Sequence, residues 1–345
     1  MPADSKLSVE THTDSQAFLS LEGEWNRLLK RSRADTLFST WQWQTIWWDC
    51  FGQDAQLSIV TVREAGELIG LAPFYALPSS ESGRTMRLVG GVEVSDYLDI
   101  IVARGREDLA YAALWHCLTD DHSYPWEVLD LHNVPASSPT LTVLSGLARK
   151  TQGIEVSAEV EEVCPVINLP STWERYLSLL NKKQRHEVRR KIRKAKREAS
   201  ARWYYAQDER SLHAEVEDFI RLHQKSDRGK MAFMDRRKQA FFHSIARAAL
   251  EHGWLKLAFL VINEVKVAAA FCFDYDEVIL VYNSGYDPQL YSSLSTGIVL
   301  LACCIRDAIE EGRKTFDFLR GEEEYKYRFG ALRTEVHNLR ISRRG

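Results

Sequence analysis

Six cysteines, Cys50, Cys117, Cys164, Cys272, Cys303 and Cys304, include no C-x-x-C pair and no spacing that gathers metal ligands. That excludes zinc-finger and thioredoxin-type motifs, and buried free thiols in a reducing compartment are the expectation. The ten histidines are scattered without ligand spacing, so no metal is expected. G-x-S-x-G, H-E-x-x-H, G-x-x-x-x-G-K-S/T and G-x-G-x-x-G are all missing. Nucleophile-elbow hydrolases, zinc proteases, P-loop enzymes and dinucleotide binders are therefore set aside. The opening MPADSKLSVETHTDSQ has no basic region followed by an apolar run, so no signal peptide is expected and the expected compartment is the cytoplasm. The longest apolar runs, Leu257–Ile262 and Ile298–Ile305, fall short of the ~20 residues that a membrane span needs.

What is present is an ordinary soluble composition over 345 residues, long enough for a large core and more readily two domains than one. The net charge of −3 hides an asymmetry. Residues 182–198 carry ten Lys/Arg and two Glu, a local balance of +8, which leaves −11 for the rest. Within that basic helix, Val188, Ile192 and Ala195 form one narrow apolar stripe. The helix either docks by that stripe as a solvated surface element or offers its cationic faces to tRNA, an anionic membrane surface or an acidic polymer. DNA groove-reading motifs are absent.

Hydrophobic periodicity predicts an α/β (α+β) chain. A strand at Leu7–Thr11 precedes a helix with Phe18, Leu21, Trp25, Leu28 and Leu29 on one face. Trp41, Trp43, Trp47 and Trp48 cannot share one helix face, so some are expected at a surface or cleft, or packed between domains. Leu57–Val62 and Leu68–Leu77 form a hairpin, and Pro78–Gly83 a loop. Strands follow at Met86–Val89, Tyr97–Val102 and Trp126–Leu131, with helices at Asp108–Thr119 and from Ser137 to near Lys150. A linker is expected near Gly153–Pro170, with one domain over 1–160 and a second over 161–345. GELIGLAPFYAL at 66–77 matches NEVKVAAAFCFD at 263–274 in shape, 197 residues apart. That repeat suggests two tandem copies of one domain, with chance likeness of two hairpins as the alternative. The second copy holds strands Leu255–Val261, Val265–Phe273, Val278–Tyr282, Thr315–Leu319 and Val336–Ile341, and the helix Ser295–Gly312.

The organising stretch is Thr315–Gly330, TFDFLRGEEEYKYRFG. A buried strand delivers Asp317 and Arg320 to one end of a sheet, Gly321 allows the turn, and an acidic first turn suits the start of a helix that presents Tyr325 and Lys326. Small polar residues and one glycine at Ser293, Leu294, Ser295, Thr296 and Gly297 leave backbone N–H groups at a helix start, an anion site or a plain serine cap.

FDFLRGEEEYKYRFG resembles the closing motif of the CelD-like acetyltransferases of polysaccharide biosynthesis and, more distantly, the Fem-type peptidoglycan transferases, both of the GNAT superfamily. Gly285-Tyr286-Asp287, Ser295-Thr296-Gly297 and Ser95-Asp96-Tyr97-Leu98-Asp99 fit the same pattern. The resemblance implies two tandem GNAT-like domains and N-acyl transfer from acyl-CoA to an amine, on a sugar or cell-envelope precursor, by direct attack. It places the pyrophosphate of acyl-CoA at 293–297 and the pantetheine arm along Asn283-Ser284. The glycine-rich Q/R-x-x-G-x-G/A loop usual there is reduced to Gly297. Asp317 is the expected base and Tyr325 the expected acid, with Lys326 holding a phosphate or the acceptor. Each has a structural alternative: Asp317 as a cap, Tyr325 as core, Lys326 as surface charge. Trp41, Trp43, Asp96, Tyr97, Arg228 and Arg320 are the candidate acceptor-side residues. Fem-type relatives use aminoacyl-tRNA as donor, so a tRNA-dependent transferase stays open, as does a non-catalytic scaffold that binds nucleic acid or an acidic partner.

Overall fold

The computed structural model describes residues 7–76, 84–120, 126–198 and 200–344. The expected loop Pro78–Gly83 lies outside them. The chain folds into two compact units, Met1–Glu162 with Glu335–Gly345, and Val163–Thr334. The first unit takes residues 335–345, which the expected second domain, 161–345, includes.

The first unit runs β1 (Leu7–His12), α1 (Gln16–Lys30), α2 (Trp41–Phe51), β2 (Gln56–Glu64), β3 (Glu67–Ala76), β4 (Thr85–Leu88), β5 (Ile101–Val102), α3 (Glu107–Asp120), β6 (Val128–Pro135), α4 (Ser145–Arg149) and the start of β7 (Ile154–Asn168). The expected linker is therefore mostly strand. The expected strand Tyr97–Val102 shrinks to β5, because Ser95–Asp99 is a buried polar loop: Ser95 Oγ donates to the Gly90 carbonyl, and Asn133 Nδ2 donates to the Ser95 carbonyl. α1 buries Phe18, Leu21, Trp25, Leu28 and Leu29, the face read from the sequence.

The second unit follows with α5 (Trp173–Leu179), α6 (Lys182–Glu198), β8 (Ala201–Tyr205), α7 (Glu209–Ser226), α8 (Arg228–Phe233), α9 (Arg236–Glu251), β9 (Leu255–Ile262), β10 (Val265–Tyr275), β11 (Val278–Tyr286), α10 (Thr296–Glu310), β12 (Thr315–Asp317), α11 (Glu324–Arg328) and the first residues of β13 (Leu332–Arg343), whose remainder belongs to the first unit.

Both units use one strand plan. In the first the order is β1-β2-β3-β4-β6-β13, antiparallel at every step except the parallel pair β4–β6. In the second it is β8-β9-β10-β11-β12-β7, again antiparallel except for the parallel pair β11–β12. Each repeated hairpin turns on two residues of positive φ, Ala65 (51°) with Gly66 (88°) and Asn263 (48°) with Glu264 (63°), the geometry that matches strand twist. The chain exchanges its closing strands: the end of β7 completes the second unit, and β13 completes the first. The internal repeat read from two hairpins thus extends to the whole sheet plan.

The second unit's core forms around α10, whose Val299, Leu300, Leu301, Cys304, Ile305 and Ala308 are buried. Ser292–Glu310 is long and apolar enough, by length and composition, to cross a membrane, contrary to the sequence reading. In the fold, 56% of that window is buried inside the unit. α6 docks by the expected stripe, with Val188 and Ala195 buried in that core and Ile192 packed against it.

Candidate active site

The site arises where two parallel strands part. β11 and β12 pair only through Val278–Thr315, Ile279–Phe316 and Leu280–Asp317. The β10–β11 register skips Tyr282, a bulge that bends β11 away from its neighbour. Beyond the last pair, Asn283 and Ser284 on one side and Phe318 and Arg320 on the other line a cavity of about 650 Å³. Ala269 and Ala270 of β10 also line it.

One wall is the start of α10. Ser295, at φ 52°, enters the helix without a side-chain cap, so the first-turn N–H groups are left to the cavity that Ser295, Thr296 and Gly297 line. With the helix dipole this is a site for an anion. Of the expected binding run, Leu294 is buried in the core, and Ser293 gives its carbonyl to Lys194 Nζ at 3.0 Å.

The opposite wall is the turn after β12. Leu319 holds φ 55°, a costly conformation outside glycine, and Gly321 holds 109°. Lys326 fixes this turn. Its buried ammonium donates to the carbonyls of Leu319 (3.3 Å), Arg320 (2.9 Å) and Gly321 (2.8 Å) and pairs with Glu323 at 2.8 Å. The expected ligand-holding lysine is therefore the clamp that shapes the wall. Asp317, the expected base, is buried with Oδ1 accepting the Leu319 N–H at 2.7 Å, a contact that forms the turn after β12; it does not cap the helix that follows, whose N-cap is Glu323. Tyr325 does line the cavity. Its ring packs edge-on against Phe318, and its hydroxyl has no hydrogen-bond partner among the described residues. Burial, with the charge of Glu323, raises its pKa above the ordinary phenol value.

Arg228 is exposed on α8, and Lys230, two positions on, lines the cavity together with Arg320 and Lys326. The cap sets this: Asp227 Oδ1 accepts the Gly229 N–H at 2.6 Å and the Lys230 N–H at 3.3 Å. Lys230 Nζ then donates to the Ser284 carbonyl at 2.6 Å. Burial lowers its pKa, against the pull of Glu323 and Asp227. Behind β11, His223 of α7 donates Nε2–H to Asn283 Oδ1 at 3.1 Å, the tautomer this contact requires. Burial and the nearby charge of Lys230 push His223 down to about 4, so it is neutral at pH 7.

Gly285-Tyr286-Asp287 docks α7 onto β11. The Tyr286 N–H donates to Ser226 Oγ at 2.8 Å, and Asp287 pairs with Lys225 at 2.8 Å. The remaining expected residues lie within the first unit. Trp43 is fully buried with Nε1 donating to Ser95 Oγ at 2.8 Å, and Trp41 donates to the Phe18 carbonyl at 2.7 Å. Asp96 is buried, and Tyr97 packs edge-on against Phe38. Trp43 and Trp47 are buried in the core of the first unit, whereas Trp41 and Trp48 are half-buried and Trp48 lines a separate cavity of that unit, so the four tryptophans divide between core and surface as the sequence predicts.

Residues 182–327 match the family described as acetyltransferase (GNAT) domain. No curated protein sequence matches the chain. Among solved structures, FemX superposes with a TM-score of 0.66 at 11% identity, over 96% of this chain and 96% of that one. The C-terminal domain of a putative lysylphosphatidylglycerol synthetase from Agrobacterium fabrum gives 0.58 at 9% identity, over 95% and 92%. A tandem GNAT protein from the clavulanic acid biosynthesis pathway gives 0.51 at 11% identity, over 98% and 99%. At these identities the likeness is one of fold: two GNAT-like folds in tandem, the second carrying the segment that matches an acetyltransferase (GNAT) domain.

Proposed function

We propose that the protein is a GNAT-type N-acyltransferase that moves an acyl group from acyl-CoA to an amine on a sugar or cell-envelope precursor. The observation that carries this reading is the uncapped N-terminus of α10 opening into the cavity between the parted strands β11 and β12. Its N–H groups suit the pyrophosphate of the donor. The parted edge of β11 at Asn283–Ser284 suits the pantetheine arm and the polarisation of the thioester carbonyl. The neutral His223 behind Asn283 fixes that amide without placing a charge beside it.

The donor supplies an activated thioester, so the chain's own residues need to orient the amine, take its proton and protonate the departing thiolate. Tyr325 is the acid, since its raised pKa keeps it protonated and its hydroxyl is uncommitted among the described residues. Lys230 replaces Asp317 as the proposed base: it lines the cavity, and burial makes its amine easier to deprotonate than an ordinary lysine. Arg320, on the opposite wall, is the proposed acceptor contact.

The reading is tested by following free-thiol release from acetyl-CoA and longer acyl-CoAs across a panel of amino sugars and other amines. It predicts thiol release that depends on both donor and amine. No amine-dependent release from any donor overturns it.

A further inference from the structure

Away from the cavity, two helices of the second unit bring together three side chains that the reaction does not use. His213 and Glu217 stand one helical turn apart on α7 and so share a face. α9 supplies His243, whose Nε2 lies 2.7 Å from Glu217 Oε1. The two imidazoles lie nearly parallel, with ring centroids 4.4 Å apart. One ligand atom from each of the three residues lies within 4.8 Å of the others. We propose that His213, Glu217 and His243 form a binding site for a borderline transition-metal ion of the Zn²⁺ type.

The donor set argues for that class. Two imidazole nitrogens and one carboxylate oxygen are the ligands of three-residue zinc sites, with solvent in the fourth position. Mg²⁺ and Ca²⁺ demand mostly oxygen ligands, which this cluster does not supply. His213 and Glu217 are exposed and His243 is partly so, which leaves both an entry path and an open coordination position. The scaffold beneath is rigid: Val216, Phe219 and Ile220 of α7 and Phe242, Ile245 and Ala246 of α9 are buried, and Phe219 stacks on Phe242 at 5.5 Å. Bringing ligand atoms that already lie within 4.8 Å of one another into a coordination shell therefore needs only side-chain rotation. The ion clips α7 to α9, the two helices that flank the Lys230-bearing α8. Sequence spacing missed it because the third ligand comes from a different helix.

The test is calorimetry on the full metal-free chain with ZnCl₂, then CoCl₂ and MgCl₂, beside His243→Ala and Glu217→Gln variants. The site predicts one equivalent of Zn²⁺ bound, a raised melting temperature and no heat from Mg²⁺. Each variant should bind Zn²⁺ at least ~10-fold more weakly, a loss no smaller than that for outer-shell partners of a metal. Glu217 is exposed and His243 half-buried, and an unchanged metal-free melting temperature verifies the fold of each variant. The bound Co²⁺ should show no thiolate charge-transfer band. Absence of Zn²⁺ binding, variants that bind as the parent does, or a thiolate band that assigns the ion to cysteine would each overturn the proposal.

Discussion

Gly285 of β11 lies against the backbone of His223 on α7: a Cβ at position 285 would stand 2.5 Å from His223 Cα and 2.5 Å from the Leu222 carbonyl carbon. Both are main-chain atoms, so no rotamer change relieves the clash. Gly285→Ala must push α7 off the strand and strain the His223–Asn283 bond behind the cavity. The expected cost is ~2–3 kcal/mol, at the upper end for overpacking. Thermal unfolding should show a drop of about 5–10 °C. An unchanged melting temperature would mean that α7 does not seat there.

Tyr325 and Lys326 are neighbours with opposite expected phenotypes. Tyr325→Phe removes a hydroxyl without a partner among the described residues, so stability should hold while kcat falls by ~10²–10⁴. Lys326→Met leaves three carbonyls and Glu323 without their cation, and should cost about 3 kcal/mol or more. The paired comparison of melting temperature and kcat separates chemistry from scaffolding. Equal melting temperatures for both variants would remove the clamp from the account.

The proposed base, Lys230, predicts a pH dependence for transfer. The base works as the neutral amine, so kcat should rise with pH through a value below the ordinary 10.5, because burial lowers this group's pKa. Lys230→Met should lose that rising limb and most of the rate. A parent profile that is flat in this range, or a rising limb that persists in Lys230→Met, would assign the proton transfer elsewhere.

How far these residues were legible varied with the range of the interaction that places them. The two hairpins and α10 could be read because local period and turn chemistry fix them. The docking stripe of α6 was legible for the same reason. The exchanged strands were not: β7 depends on pairing with β12, and β13 on pairing with β6, both far off in sequence. Nor does FDFLRGEEEYKYRFG reveal that Lys326 turns inward onto carbonyls at 319–321 while Tyr325 faces the cavity. Lys230 was legible in principle. Asp227-Arg228-Gly229-Lys230 reads as a capped helix start, which would have pointed to Lys230 instead of Arg228.

The basic helix α6 separates the two donors. Lys182, Arg189, Arg190 and Arg193 are exposed, whereas Lys194 holds the Ser293 carbonyl and should be left in place. Reversing these four of the helix's exposed cations to Glu spares the buried Val188 and Ala195, so the fold should survive. An acyl-CoA donor predicts retained transfer to a small soluble amine, with losses only on an acidic polymer or membrane-bound acceptor. Loss of a tRNA-dependent transfer that falls steeply with salt would establish the other donor, since each phosphate neutralised releases counterions.

The central claim is that the start of α10 receives the donor's phosphates. Gly297 has open space beside it, its nearest would-be contact being Tyr286 Cδ1 at 3.8 Å. Gly297→Asp therefore fits, and a carboxylate in a first helical turn favours the helix. The same charge stands where the pyrophosphate would bind. Calorimetric titration of acetyl-CoA into the full chain should show binding by the parent and none by Gly297→Asp at an equal or higher melting temperature. No binding by the parent, or undiminished binding by Gly297→Asp, would contradict the account.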